Sequence, residues 1–259
     1  YLAADITKFQ LWYNSSNALG SATQLGVDLT TGLGNGAHSF AAFGNPTLTS
    51  GTTYYFWITI DIAASPTNGR TVICNAIATT DLTSTNTKAG GPTTAGGTQT
   101  IKAVPVSTNG STQSICYTGS ATLSGNNPAY GSGAWTVVSG PSTSSAQFAS
   151  TTTYNTTFTP AAGAGVYVIR WTVSNAPCTP VSSDATITVN NSTLTLASNT
   201  VGASSICASS LKVPIQSFTL APTVCNGNLT NVGFTTAGGT YLAADITKFQ
   251  LWYNSSNAL

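Results

Sequence analysis

The chain has 259 residues, of which 41% are hydrophobic and only 5% charged, and seven Lys and Arg against six Asp leave a formal net charge of +1. Glu and Met are absent, while β-branched, aromatic and turn-forming residues dominate, which argues against long amphipathic helices. The few cations are scattered and form no stripe that could neutralise a run of phosphates, so nucleic acid is excluded as a partner.

The first nineteen residues, YLAADITKFQLWYNSSNAL, return unchanged as residues 241–259, a period of 240. Repetition at a fixed period marks an array, and a period this long must hold whole domains rather than one solenoid turn. Because YLAADITKFQLWYN reads as the middle of a domain, the chain is expected to be a window on a longer array that starts and ends mid-domain. No basic n-region with an apolar h-region opens it, so an export signal is expected outside this sequence. The longest apolar runs, such as residues 54–62, alternate with polar residues and stop far short of the roughly 20 residues that span a bilayer, so no transmembrane helix is expected.

In chain order, strands are predicted at residues 6–13 (ITKFQLWY), 53–62 (TYYFWITIDI) and 71–79. Alternation in the second places Tyr54, Phe56, Ile58, Ile60 and Ile62 on one face and Tyr55, Trp57, Thr59 and Asp61 on the other. Residues 114–117, 134–138, 146–149, 156–159, 166–174 and 185–189 follow as short strands separated by turn signals such as PAYGSG and PAAGAG, and 212–220 and 229–235 come last. Asn-Gly pairs at Asn35, Asn68, Asn109 and Asn226 fit the same pattern. The fold class is therefore all-β: tandem antiparallel Greek-key β-sandwiches, two domains per 240-residue repeat. Residues 102–190 form one sandwich. Residues 1–101 are the C-terminal part of the other, and 191–259 are the N-terminal part of its next copy. Across that boundary, residues 246–253 are expected beside 212–220 or 229–235 in one continuous polypeptide.

Cys74, Cys116, Cys178, Cys207 and Cys225 show no metal-binding spacing. In an exported protein they predict one or two disulfides and a thiol left over, with five buried thiols as the alternative. A bond between Cys116, at the end of strand 114–117, and Cys178, just after VYVIRWTVS, is the predicted pairing. Cys207 and Cys225 flank one strand and are not expected to pair, so a second bond would join Cys74 to one of them in the next copy.

In residues 102–190, GAWTVVSGP, FTPAAGAGVYVIRWTVSNAPC and DATITVN resemble the Ig-like and PKD-like tandem repeats of giant surface adhesins of Bacteroidota. Those adhesins are exported by type IX secretion, and the resemblance is to the gliding-motility kind. FTTAGGTYLAADITKFQLWYN and TAGGTQTI resemble a module of the same proteins, so the likeness covers essentially the whole chain. It implies an Ig-like sandwich and an extracellular, cell-surface filament anchored through a C-terminal region outside this sequence.

No catalytic residue, metal or cofactor is expected. His38, the single histidine, lies in a Gly-rich loop without a partner nucleophile. The aspartates are isolated along the sequence and offer calcium no ligand set, and with no Glu and few Asp the neighbouring acid that an isopeptide crosslink needs is not expected. Asp5 and Lys8 are spaced for an exposed ion pair of little weight. Asn-x-Ser/Thr triplets carry no weight in so Asn-, Ser- and Thr-rich a chain. Trp135 and Trp171 are expected in a sandwich core, whereas Trp57, opposite the more apolar face of its strand, is the candidate surface contact. The expected function is a repeat module of a very long surface filament, giving reach, tensile strength and multivalent attachment. Its expected partners are neighbouring repeats, other copies of the filament, and surface polysaccharide or substratum. A fibre subunit joined by strand exchange and a carbohydrate-binding module are the alternatives.

Overall fold

The computed structural model describes residues 1–40, 43–44, 46–110, 112–237 and 239–255; Ala41 and Ala42 of the stretch after His38, and residues 256–259 of the second nineteen-residue copy, lie outside the described residues. Among the described residues the chain is all-β, with thirteen strands, short 3-10 turns and no helix long and apolar enough to cross a membrane.

Ile6–Asn14 (β1), Thr23–Leu29 (β2) and Tyr55–Ile62 (β3) form an antiparallel sheet in the order β2-β1-β3. A register shift between Ile6 and Lys8 lets Ile6 and Phe9, three apart, face one side. There they pack with Leu33, Val72 and Ile101 in a small apolar cluster. The strand expected at 71–79 contracts to Thr71–Val72 (β4), paired with Gln99–Thr100 (β5). Beyond Val72 the backbone bonds of the described residues are scattered, Gly96 N to Cys74 O and Thr93 N to Ile77 O among them.

Asp5 closes the 3-10 turn before β1 and is almost wholly buried, at 1% exposure. Its carboxylate accepts from Thr67 N at 2.6 Å and Leu2 N at 2.7 Å, and Arg70 Nε lies 3.9 Å away. The Asp5–Lys8 ion pair expected from the sequence is therefore replaced: a short turn and a bulge separate the two side chains, and Lys8 pairs elsewhere. The Thr67 and Leu2 amides, with a smaller contribution from Arg70, hold the Asp5 carboxyl below the usual carboxylate range. Stability from such a depressed group is present at neutral pH and is lost as pH falls below about 3.9 and through the folded-state value. Urea midpoints are expected to drop over that acid window, and less steeply in Asp5→Asn.

Six strands form the central sandwich: Gln113–Cys116 (β6), Ala121–Ser124 (β7), Ser132–Ser139 (β8), Asn155–Phe158 (β9), Gly165–Ser174 (β10) and Val181–Asn190 (β11). One sheet runs β6-β11-β10-β8 and faces the pair β7-β9. β10 buries Tyr167, Ile169, Trp171 and Val173 in strict alternation. Trp135 and Trp171, opposite each other on β8 and β10, bring their rings to 4.8 Å, and Phe158 bridges Phe148 and Tyr167. Each buried indole keeps a partner: Trp135 Nε1 donates to Thr153 O and Trp171 Nε1 to Asn126 O. The strand expected at 146–149 is instead a 3-10 turn, Ser145–Gln147, capped by Ser144. It is fixed by buried Gln147, whose amide donates to Ser142 O and Ser144 O and accepts from Ala161 N.

The connection into this sandwich is stitched by side-chain amides. Asn68 Oδ1 accepts from Ala103 N and from Asn175 Nδ2, while Asn175 Nδ2 also donates to Ala103 O at 2.8 Å. Farther on, Ser107 Oγ donates to Trp171 O, and Asn109 Nδ2 to Ile169 O and Ser183 O.

Thr193–Asn199 (β12) and Ser217–Thr223 (β13) form an isolated antiparallel ribbon. The strand expected at 212–220 thus starts later, and residues 229–235 form none. The ribbon is tied to the sandwich by a disulfide between Cys116 and Cys225, with Cα atoms 5.8 Å apart. This corrects the Cys116–Cys178 pairing. β6 runs parallel to β11 and sets Cys116 beside Asn190 at one end of that strand, whereas Cys178 precedes its other end. Ten residues at roughly 3.3 Å each hold the two about 30 Å apart. Cys178 is a free thiol that donates to Lys102 O, and Cys74 and Cys207 are free and exposed.

Over their described residues the two copies fold differently, contrary to the expectation that 246–253 would pair as a strand. Both close the turn before β1 by the same bond, Leu2 N to Asp5 Oδ2 and Leu242 N to Asp245 Oδ2. Only the first copy continues as a strand: Phe9 is 7% exposed and its twin Phe249 50%. Local sequence makes the turn, but the strand needs neighbours, and β2 and β3 are already paired with β1.

Candidate functional site

The face of the β2-β1-β3 sheet opposite its apolar cluster brings polar and aromatic side chains together outside the core. Strand pairing sets Trp12 between Gln24 and Trp57, Gln10 beside Thr59, Lys8 beside Asp61 and Asn14 beside Tyr55. Trp12, Trp57 and Tyr55 make an aromatic end, with the Tyr55 and Trp57 rings stacked at 6.3 Å and Trp12 Nε1 donating to Thr59 Oγ1 at 2.9 Å. Trp12 and Trp57 are half-buried, so each presents a surface while remaining held in place.

The other end is a hydrogen-bonded polar network centred on Asp28. Lys8 Nζ reaches Asp28 Oδ2 at 2.8 Å and Asp61 Oδ2 at 3.3 Å, and Asp28 Oδ1 accepts from Gln24 Nε2 at 2.6 Å and Gln10 Nε2 at 3.0 Å. Lys8, then Gln10 and Gln24, depress the Asp28 carboxyl below its usual range, and Asp28 first among its partners raises the Lys8 ammonium. One cation between two carboxylates leaves the face with a net negative charge. Aspartates isolated in sequence are thus brought together by register, although among the described residues no group of three or more His, Cys, Asp or Glu could hold a metal ion.

Trp57 lies on this face, as its strand alternation predicts. Asp28 and Gln24 carry no such signal, because β2 contains Gly26, at a φ of 72°, and too few apolar residues to mark it as a strand. The clue that the sequence does hold is the alternation Lys8, Gln10, Trp12 along β1. Trp135 and Trp171 lie in the core, at 1% and 0% exposure. His38 sits on the opposite face, its ring 4.6 Å from Phe9 and its Nε2 3.3 Å from Tyr1 Oη. A cavity of about 350 Å³ at the joint is lined by Ile60, Ile62, Ile101, Lys102, Pro177 and Cys178 among others, and contains neither carboxylate nor imidazole. No protein-family model matches the chain, and no curated protein matches it.

Proposed function

We propose that this chain is a repeat segment of a very long extracellular surface filament, which gives reach and attaches a cell through many individually weak contacts. The supporting observation is the unchanged return of nineteen residues at a period of 240, since one polypeptide carrying many such units multiplies effective concentration at a surface. The resemblance to giant type IX-secreted adhesins adds export to the cell surface and a role in gliding motility. A denaturing, reducing gel of the native polypeptide tests the reading: a species far above 26.3 kDa is expected, and a band at that mass would replace the filament with a self-assembling subunit.

The contact face in this reading is the Trp12–Trp57–Tyr55 platform. Flat aromatic rings suit the C–H face of a sugar, and the neighbouring amides and carboxylates suit its hydroxyls. Net negative charge disfavours polyanions, so the substrate class is neutral polysaccharide. Binding to an array of neutral glycans is expected to weaken at least about tenfold in Trp57→Ala, with no more than about 1 kcal/mol, the scale of a cross-strand aromatic pair, lost from stability. Equal binding by both proteins would remove this face from the proposal.

A further inference from the structure

Two apolar surfaces on this chain lack a covering layer among the described residues. On the inner face of the β2-β1-β3 sheet, the end near Phe9 is covered, but Phe56 and Ile58 at the other end remain 48% and 41% exposed. On the β12–β13 ribbon, pairing places Leu194 opposite Pro222, Leu196 opposite Leu220 and Ser198 opposite Phe218 on one face. Leu196 is 68% exposed. A two-stranded ribbon with one apolar face is at most marginal alone and needs a second layer. Contiguous exposed apolar surface of this kind marks an interaction site.

The repeat identifies the partner. Residues 241–259, which follow the ribbon, have the sequence that forms β1 at residues 6–14. The ribbon is therefore the element directly upstream of a β2-β1-β3 sheet wherever the unit is repeated. The cysteines agree. With Cys116 and Cys225 paired, and Cys178 held at Lys102 O, the exposed thiols that remain are Cys74 and Cys207. Cys74 lies two residues past Val72 of the sheet's apolar cluster, and Cys207 lies in the β12–β13 connection.

We infer that the β12–β13 ribbon of one copy covers the exposed inner face of the β2-β1-β3 sheet of a second copy, and that a Cys207–Cys74 disulfide locks the joint. The contact is head-to-tail, so it propagates into an open chain rather than closing a dimer. Bond formation takes two protons and two electrons from the thiols, and an organic disulfide such as oxidised glutathione accepts them as its own S–S bond breaks to two thiols. The inference rests on the repeat reading, but its test uses the 259-residue chain, so native polypeptide size does not decide it.

The test uses chains carrying Cys178→Ser, oxidised with glutathione disulfide and run without reductant. The parent is expected to give a ladder. Cys74→Ser and Cys207→Ser chains are each expected to stay monomeric, and their equimolar mixture to give dimers and stop there, with the Cys74–Cys207 peptide found by mass spectrometry. Adding Phe56→Asp to the Cys207→Ser chain is expected to cut dimer yield about tenfold or more, while the near-ultraviolet signal of buried Trp135 and Trp171 reports an intact central sandwich. Monomers only in the mixture, or a ladder from either single variant, would overturn the inference.

Discussion

Removing the Cys116–Cys225 bond by replacing both cysteines with serine is expected to destabilise the chain by about 4–5 kcal/mol. The two residues are 109 apart in sequence, and a crosslink closing so long a loop removes that much chain entropy from the unfolded ensemble in the loop-closure model. The bond spans β7 to β13 and joins the edge strand β6 to the segment after the ribbon, where Ser192 Oγ donates to Cys225 O. Denaturant unfolding with and without reductant is the measurement. Reductant should destabilise the parent and leave the double variant unchanged. If it moved both equally, or neither, the bond would not be the constraint described above.

The second large effect is expected at Trp171. Truncation to alanine removes a ring with no exposed surface that packs on Trp135 at 4.8 Å, and should cost about 3–5 kcal/mol. Gly133 supplies the complementary test, since an added Cβ there would lie 2.0 Å from Trp171 Cζ2. The indole cannot swing aside without breaking its bond to Asn126 O, so Gly133→Ala should cost about 1–3 kcal/mol by overpacking. In Trp171→Ala the clash disappears, and the double variant should be more stable than the sum of the two single changes implies. Additive costs in a denaturation cycle would place the strain at Gly133 elsewhere than against Trp171.

Several elements are legible in the amino-acid sequence alone. Alternation in GVYVIRWTVS and in TYYFWITIDI is a local, period-two signal, and the strands, their buried Trp171 and the outward Trp57 follow from it. The all-β class follows from composition for the same reason, and the return of nineteen unchanged residues is read off directly. The disulfide and the polar face are not legible there, because each depends on which strands lie side by side. Cys116 finds Cys225 through a parallel β6–β11 pairing, and Lys8 reaches Asp28 twenty residues away through the β1–β2 register.

The two copies of YLAADITKFQLWYN mark where sequence stops and tertiary structure begins. The sequence by itself determined the Leu-Ala-Ala-Asp turn, which forms in both because its closing bond spans three residues. Tertiary structure alone decided whether the next residues are a strand, since a strand's hydrogen-bond partners lie on other segments. Residues 6–14 have β2 and β3 beside them, and 246–253 have neither.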